Sequence, residues 1–458
     1  MLTIVIPKNN IKERKYLLDI VFGQFLKITY NVKVFDNNIS EYRIFFNNKK
    51  SIIIKDSFFS LYPVSLSYLK KSAIPENVNY ILNPLFSEKD LPVFFGEGDI
   101  AVEENRIITD IDIFSTIFFM LTRWEEYVSK DKDQHGRFPH TESLAYKYNF
   151  IHRPIVNEYI EFLWNMLVLL GCKHKRYKHK FSILLTHDVD HTLRYLNFKM
   201  LFVRLAGDIV LRKSIIRFFK TVSEYIAVRK KEKKDPYDTF DKIMDISDSF
   251  NIKSHFFFMS GGTEKGYDNN YKIQAKFTRN LIKNIHKRGH YIGIHPSYNA
   301  YNNMAQFEIE KKALEAVSPV KIISGREHYL RFEVPKTWQI WEDQGFSWCS
   351  NMAYANKSGF RAGVCYPFTP FNILIRKQLS LKERPLIMME GTFMSETKNP
   401  SEMEQSVDYY LNIVKKYNGE FVLLWHNSNF NTDDMIQYRY IYKKIIKKQQ
   451  LLEVNGNG

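Results

Sequence analysis

The chain of 458 residues has only three cysteines, Cys172, Cys349 and Cys365, an odd number without paired metal-ligand spacing. Their scarcity excludes a disulfide framework and points to a reducing compartment. Long hydrophobic runs are missing as well. The apolar stretch Phe162 to Leu170 is too short to span a bilayer, and the apolar residues Leu2 to Ile6 give way to Lys8 and Asn9 too soon for a secretory signal. A soluble cytoplasmic protein is expected. There is no internal repeat, no low-complexity tract, and no zinc-finger or RNA-recognition motif, so nucleic acid is not expected as a partner. Acidic residues are in deficit: Asp+Glu 50 against Lys+Arg 66 gives a net charge of +16. The densest basic run, Arg229 to Lys234, reads as an exposed helix end or loop, and an anionic membrane surface or an acidic glycan is what it would attract.

What the chain has in quantity is apolar and aromatic side chains. Hydrophobic residues make up 45% and aromatic residues 15%, which suits a large core or a sugar-facing surface, and the length allows two domains. The apolar residues also form short runs that stop at reactive polar groups. Phe181 to Leu185 leads into Thr186-His187-Asp188-Val189-Asp190-His191, and Tyr291 to Ile294 leads into His295-Pro296-Ser297-Tyr298-Asn299. Lys321 to Gly325 leads into Arg326-Glu327-His328-Tyr329-Leu330-Arg331, Pro385 to Met389 into Glu390, and Phe421 to Trp425 into His426. Runs of this length, separated by helix-like stretches, have the rhythm of a β/α barrel or layered α/β fold, whose strand ends converge on one site.

The residue types at these ends suit metal-assisted amide hydrolysis, which asks for carboxylate and imidazole ligands, a free carboxylate as base and a free imidazole as acid. Asp190 and His295 can fill the ligand roles, and Asp188 and His426 the other two. On an extended backbone Asp188 and Asp190 share a face and His187 points away.

The Asp-Val-Asp strand end, Gly289-His290-Tyr291-Ile292-Gly293-Ile294-His295 and Leu423-Leu424-Trp425-His426 resemble the polysaccharide deacetylases of the NodB-homology type, over roughly the C-terminal three-fifths of the chain. The resemblance implies a distorted (β/α) barrel carrying a metal-dependent deacetylase site, with a carbohydrate as substrate and a divalent ion, zinc by expectation, as cofactor. It implies Asp188 as general base, Asp190 and His295 as metal ligands, Arg331 as the arginine that orients the base, and His426 as general acid. Four residues after the first histidine ligand the family has a second one, and this chain has Asn299. The third ligand is thereby left to His328 or His191 ahead of His187, which faces away, or to the amide oxygen of Asn299, unless the site has two protein ligands and extra waters. Loss of that ligand also keeps open a catalytically inactive carbohydrate-binding or assembly protein, and a hydrolase of another amide or an ester is a third reading.

Other features have structural readings beside functional ones. Glu390 could act at the site or bond the backbone of its turn. Trp338, Trp341, Trp348 and Tyr354 suit a core more than a sugar platform. Phe360 to Gly363 looks like a loop delivering Arg361 to the site, with a structural turn as the rival reading. The N-terminal part has strand-like pieces, a helical stretch from Ile113 to Tyr127 and a second helix near Val156 to Leu170. It resembles the accessory domain ahead of some bacterial deacetylase-like domains. The basic segment Lys173 to Lys180 reads as a linker. The expected architecture is α/β, with a smaller α+β domain over residues 1–178 and the (β/α) barrel over 179–458.

Overall fold

The fold is a computed structural model that describes all residues except 36–39, 48–49, 269–270, 398, 432–435 and 456–458. Its strands fall into two larger sheets. The first is mixed and built from the N-terminal part: β1 (Leu2–Pro7), β2 (Tyr30–Phe35), β3 (Glu41–Asn47), β4 (Lys50–Lys55), β7 (Ile100–Val102) and β8 (Arg106–Thr109), in the order β2-β1-β3-β4-β8-β7. A separate antiparallel pair is formed by β5 (Asn79–Leu82) and β6 (Asp90–Val93). The second sheet has eight strands: β9 (Ser182–Val189), β10 (His255–Phe258), β11 (Tyr291–Ile294), β12 (Ser324–Gly325), β13 (Trp348–Cys349), β16 (Lys382–Glu383), β17 (Leu386–Met389) and β18 (Glu420–Leu424). The small pair β14 (Phe371–Asn372) and β15 (Lys377–Gln378) stands apart from it.

The order of the eight-stranded sheet is β16-β13-β12-β11-β10-β9-β18-β17. Read from β9, neighbours follow the chain one by one to β16, while the last strand returns beside the first. That is the cyclic succession of a (β/α) barrel with its seam between β16 and β17, strands consecutive in the chain. Pairings of β9 with β10, β10 with β11, β11 with β12 and β13 with β16 are all parallel. Strands β10 and β18 are buried along their whole length, which is why they read as continuous apolar runs rather than alternating ones. The helix Lys276–Lys287, between β10 and β11, buries Thr278, Leu281, Ile282 and Ile285, one face at three- and four-residue spacing, and leaves its lysines in solvent.

The chain forms two compact units, one of Met1–Ser182, Tyr329–Met388 and Ser406–Val422, the other of Ile183–His328, Met389–Gln405 and Leu423–Gly458. Residues 329–388 and 406–422, which the sequence reading assigned to the barrel domain, thus cluster with the N-terminal residues. In this first unit the high aromatic content is core. Phe58, Phe59, Tyr68, Phe118 and Trp124 are buried and in ring contact. Trp338 and Trp341 are fully buried, and the Trp338 indole donates to Glu383 at 2.9 Å. The sugar-platform reading of these tryptophans is therefore set aside.

The expected helix Ile113 to Tyr127 is two helices, Ile113–Thr122 and Trp124–Val128, broken at Arg123, whose backbone is left-handed with φ 53°. The break serves an ion network. The Arg123 guanidinium donates to Glu126 at 2.8 Å and to Glu125 at 2.5 Å, and Arg361 donates to both oxygens of Glu126 at 2.9 and 2.5 Å. All four side chains are at most 2% exposed. The expectation that Arg361 is delivered to a catalytic site is corrected here: it is a buried structural cation. Burial alone would push the Glu126 carboxyl up, but Arg361 and Arg123 outweigh that and bring it down to about 2.

Glu126→Gln leaves two buried guanidinium groups short of a counter-charge, so it should cost on the order of 3–5 kcal/mol at neutral pH, read from urea unfolding. Because the folded pKa is depressed, the carboxylate's contribution is complete above the unfolded value of about 4.3 and is lost as pH falls toward about 2. The stability gap between wild type and variant should shrink across that window. A gap that stays constant from neutral pH down to acid would contradict the assignment.

Candidate metal and acid-base site

Register places the site. Val189, Phe258, Ile294 and Gly325 form one row across β9, β10, β11 and β12. The residues one step beyond that row are Asp190, Met259, His295 and Arg326, at the carboxyl ends of the strands. The Gly293 backbone makes the row possible: a Cβ there would lie 2.5 Å from the Phe257 ring and 2.6 Å from the Ser324 carbonyl oxygen.

Three side chains converge at this edge. Asp190, His295 and His328 offer ligand atoms that all lie within 4.8 Å of one another. His295 Nε2 is 3.3 Å from Asp190 Oδ1, His328 Nδ1 is 3.6 Å from the same oxygen, and the two ring nitrogens are 2.9 Å apart. The opposite nitrogens are held by backbone carbonyls: His295 Nδ1 donates to the Arg326 carbonyl at 2.7 Å and His328 Nε2 to the Tyr267 carbonyl at 2.9 Å. In the neutral state each ring therefore turns its acceptor nitrogen toward the other. Two lone pairs at that distance repel unless a proton or a cation lies between them. A proton on His295 Nε2 would have two acceptors to serve, His328 Nδ1 at 2.9 Å and Asp190 Oδ1 at 3.3 Å. A divalent cation satisfies all three atoms, so the donor set fits a divalent metal ion.

The acceptor behind His328 is itself fixed. Asp268 accepts backbone N–H groups of Thr263, Glu264 and Tyr298, tying the loop that carries Tyr267 to the segment after His295. Tyr267 stacks on Tyr298 with ring centres 4.5 Å apart. Asn299 is half-buried, its amide nitrogen facing Glu264 Oε2 at 3.4 Å and its backbone N–H donating to Thr263 Oγ1.

Next to this cluster sits an acid-base pair. The His426 Nδ1 lies 2.5 Å from Glu390 Oε1, which also accepts from the His426 backbone N–H and the Asn429 amide. His426 Nε2 is 3.6 Å from Asp190 Oδ2. Burial lowers the His426 imidazolium, but Glu390 with Asp190 and Asp188 overrides it and raises the pKa to about 10. Burial likewise works against the Asp190 anion, and the surrounding imidazoles hold its carboxyl well below the usual range. The His295 and His328 side chains are 2% and 6% exposed, whereas Asp190 keeps 26% and His426 17%. Solvent thus reaches the cluster along the edge formed by Asp190 and His426.

Asp188 is buried behind that edge. Its Oδ1 accepts from the Arg326 guanidinium at 2.9 Å, Arg326 also donates to Thr186 Oγ1, and Asp188 Oδ2 lies 3.9 Å from His295 Nδ1. The arginine on Asp188 within this unit is Arg326. Arg331, expected in that role, belongs to the first unit, where its Nε donates to the His135 carbonyl. His187 points to the other face, bonding the Trp425 carbonyl through Nδ1, and burial lowers its pKa to about 4. His191 stacks on Tyr237. Sequence reasoning passed over Arg326 and undervalued Glu390. The available signal was register, since Arg326 follows Gly325 as His295 follows Ile294.

Residues 2–171 match a family of unknown function, DUF7033. No curated protein matches the chain. Among solved structures it is similar to a putative polysaccharide deacetylase from Mycobacterium smegmatis, with 14% identity and TM-score 0.38 over 60% of this chain and 85% of that one. It is also similar to a probable polysaccharide deacetylase from Pseudomonas aeruginosa PAO1, with 11% identity and TM-score 0.37 over 59% and 84%. A CE4 family pseudoenzyme from Bacillus anthracis is similar at 12% identity and TM-score 0.29 over 60% and 63%. Among the described residues, no helix is long and apolar enough to cross a membrane.

If Asp190, His295 and His328 are the ligands, Asp190→Ala and His328→Ala should each lower zinc stoichiometry from about one to near zero by elemental analysis, whereas Asn299→Ala should keep it. Zinc lost on removal of Asn299 but kept on removal of His328 would reverse the assignment of the third ligand.

Proposed function

We propose that the chain is a metal-dependent hydrolase that removes an N-acetyl group from a sugar of a bacterial polysaccharide or its precursor. The observation that carries the reading is the convergence of Asp190, His295 and His328, whose ligand atoms lie within 4.8 Å of one another, next to a histidine held by a buried glutamate. The choice of an N-acetylated sugar rests on the resemblance of the strand-end motifs to polysaccharide deacetylases.

Asp190, His295 and His328 would hold the ion, and when bound it would supply Lewis-acid polarisation of the acetyl carbonyl and a lowered pKa for water. Asp188, ion-paired to Arg326 at 2.9 Å and on the strand face of Asp190, is the base that takes the proton from the attacking water. His426 carries a proton on Nε2 at the exposed edge while Glu390 holds Nδ1, so it donates to the departing amine nitrogen. Glu390 is a positioning residue: it fixes the ring orientation and keeps the imidazole charged until the proton is transferred.

The direct test is acetate release from N-acetylated oligosaccharides, which a chelator should abolish and added zinc restore. Protein that holds zinc and releases no acetate would favour the inactive binder. His426→Ala should keep the metal and the fold yet lose turnover by on the order of a hundred-fold or more. The loss should be smaller on an acetyl ester, whose alkoxide leaves more readily than an amine. Equal losses on amide and ester would move the acid role to another residue.

A further inference from the structure

Between β9 and β10 the second unit carries a helical hairpin, Phe198–Val210 followed by Ile215–Arg229, that the candidate site does not use. Its interior is small. Tyr195, Leu201 and Tyr225 are buried, with Leu205 and Val228 packed on them, and Asp208 accepts from Thr221 and Arg212 to join the two helices near their turn.

Its exterior is apolar where a soluble surface is ordinarily polar. Leu211 is 83% exposed, Ile216 79%, Val210 68%, Phe202 67%, Ile215 65% and Phe219 64%. Scattered exposed apolar residues are normal, but all of these except Phe202, which lies further back on the first helix, sit on the turn and on the two helix ends that flank it. The same segment is strongly cationic: from Phe198 to Lys234 the sequence has eleven Lys and Arg against three Asp and Glu. Aliphatic and phenylalanine side chains at the tip, interleaved with the basic residues Arg212, Lys213, Arg217 and Lys220, are the pattern of an interfacial helix on an anionic bilayer. No described helix is long and apolar enough to cross a membrane, so the contact is with the surface.

We propose that this hairpin seats the protein on an anionic lipid bilayer, with the Val210 to Phe219 turn at the acyl boundary and the lysines and arginines on the lipid phosphates. The proposal stands independently of the hydrolase reading, because none of its residues belongs to the metal and acid-base cluster.

The test is co-sedimentation of the full chain with vesicles of phosphatidylcholine alone and with vesicles in which about a third of the lipid is phosphatidylglycerol. Binding should be confined to the anionic vesicles and weaken with added salt. Ile215→Glu combined with Ile216→Glu should reduce it by about tenfold or more, and Lys213→Gln with Arg217→Gln and Lys220→Gln should reduce it and flatten its salt dependence. Both isoleucines are well exposed, so the melting temperature should not change. Absence of vesicle binding, binding indifferent to these substitutions, or a large fall in melting temperature would each overturn the proposal. So would self-association by light scattering that the glutamate variant abolishes while vesicle binding persists, since the face would then belong to a second copy.

Discussion

The site depends on one constraint: two imidazoles whose outer nitrogens are committed to backbone carbonyls. Once His295 Nδ1 is bound to the Arg326 carbonyl and His328 Nε2 to the Tyr267 carbonyl, the tautomers are set and the inner nitrogens face each other across 2.9 Å. Neither can donate to the other in the neutral state. Everything around them is arranged to meet that conflict. Asp190 brings a negative oxygen to within 3.3 and 3.6 Å, and Asp268 fixes the loop that supplies the second carbonyl.

The barrel order explains why residues so far apart in sequence meet. Parallel strands in register bring their carboxyl ends to one level, so that Asp190, His295 and Arg326 occupy one row although 136 positions separate the first from the last. His426 and Glu390 reach the same edge from the ends of β18 and β17, the two strands that precede the return to β9. A buried carboxylate behind a partly exposed imidazole is a common way to hold a proton where it can be given away, and Glu390 stands in that relation to His426.

Much of this was legible in the sequence, for a physical reason. A charged or imidazole residue directly after a buried apolar run is costly unless it has a partner, so the ends of the runs marked Asp188, Asp190, His295 and His426 as residues with a task. The barrel rhythm was legible on the same ground. The third member of the cluster was not fixed, because the place of His328 depends on the short path from Arg326 and on a carbonyl of a distant loop. Arg326 and Arg331 are five residues apart in one polar run, and composition cannot say which of them meets Asp188. The pairing of Arg361 with Glu126 links positions 235 apart and leaves no local trace, so a buried structural ion pair was read as a delivered functional arginine. The units that gather residues 329–388 and 406–422 with the N-terminal part are likewise a tertiary outcome that no linker composition marks.

The central claim is that a divalent ion belongs between His295, His328 and Asp190. Anomalous diffraction at the zinc edge, from crystals of the full chain equilibrated with zinc, tests it most directly. The account predicts one strong peak at about 2.0–2.2 Å from His295 Nε2, His328 Nδ1 and an Asp190 carboxylate oxygen. Crystals with no peak at that position, or with the ion bound by Asn299 while His328 keeps its hydrogen bond to His295, would contradict it.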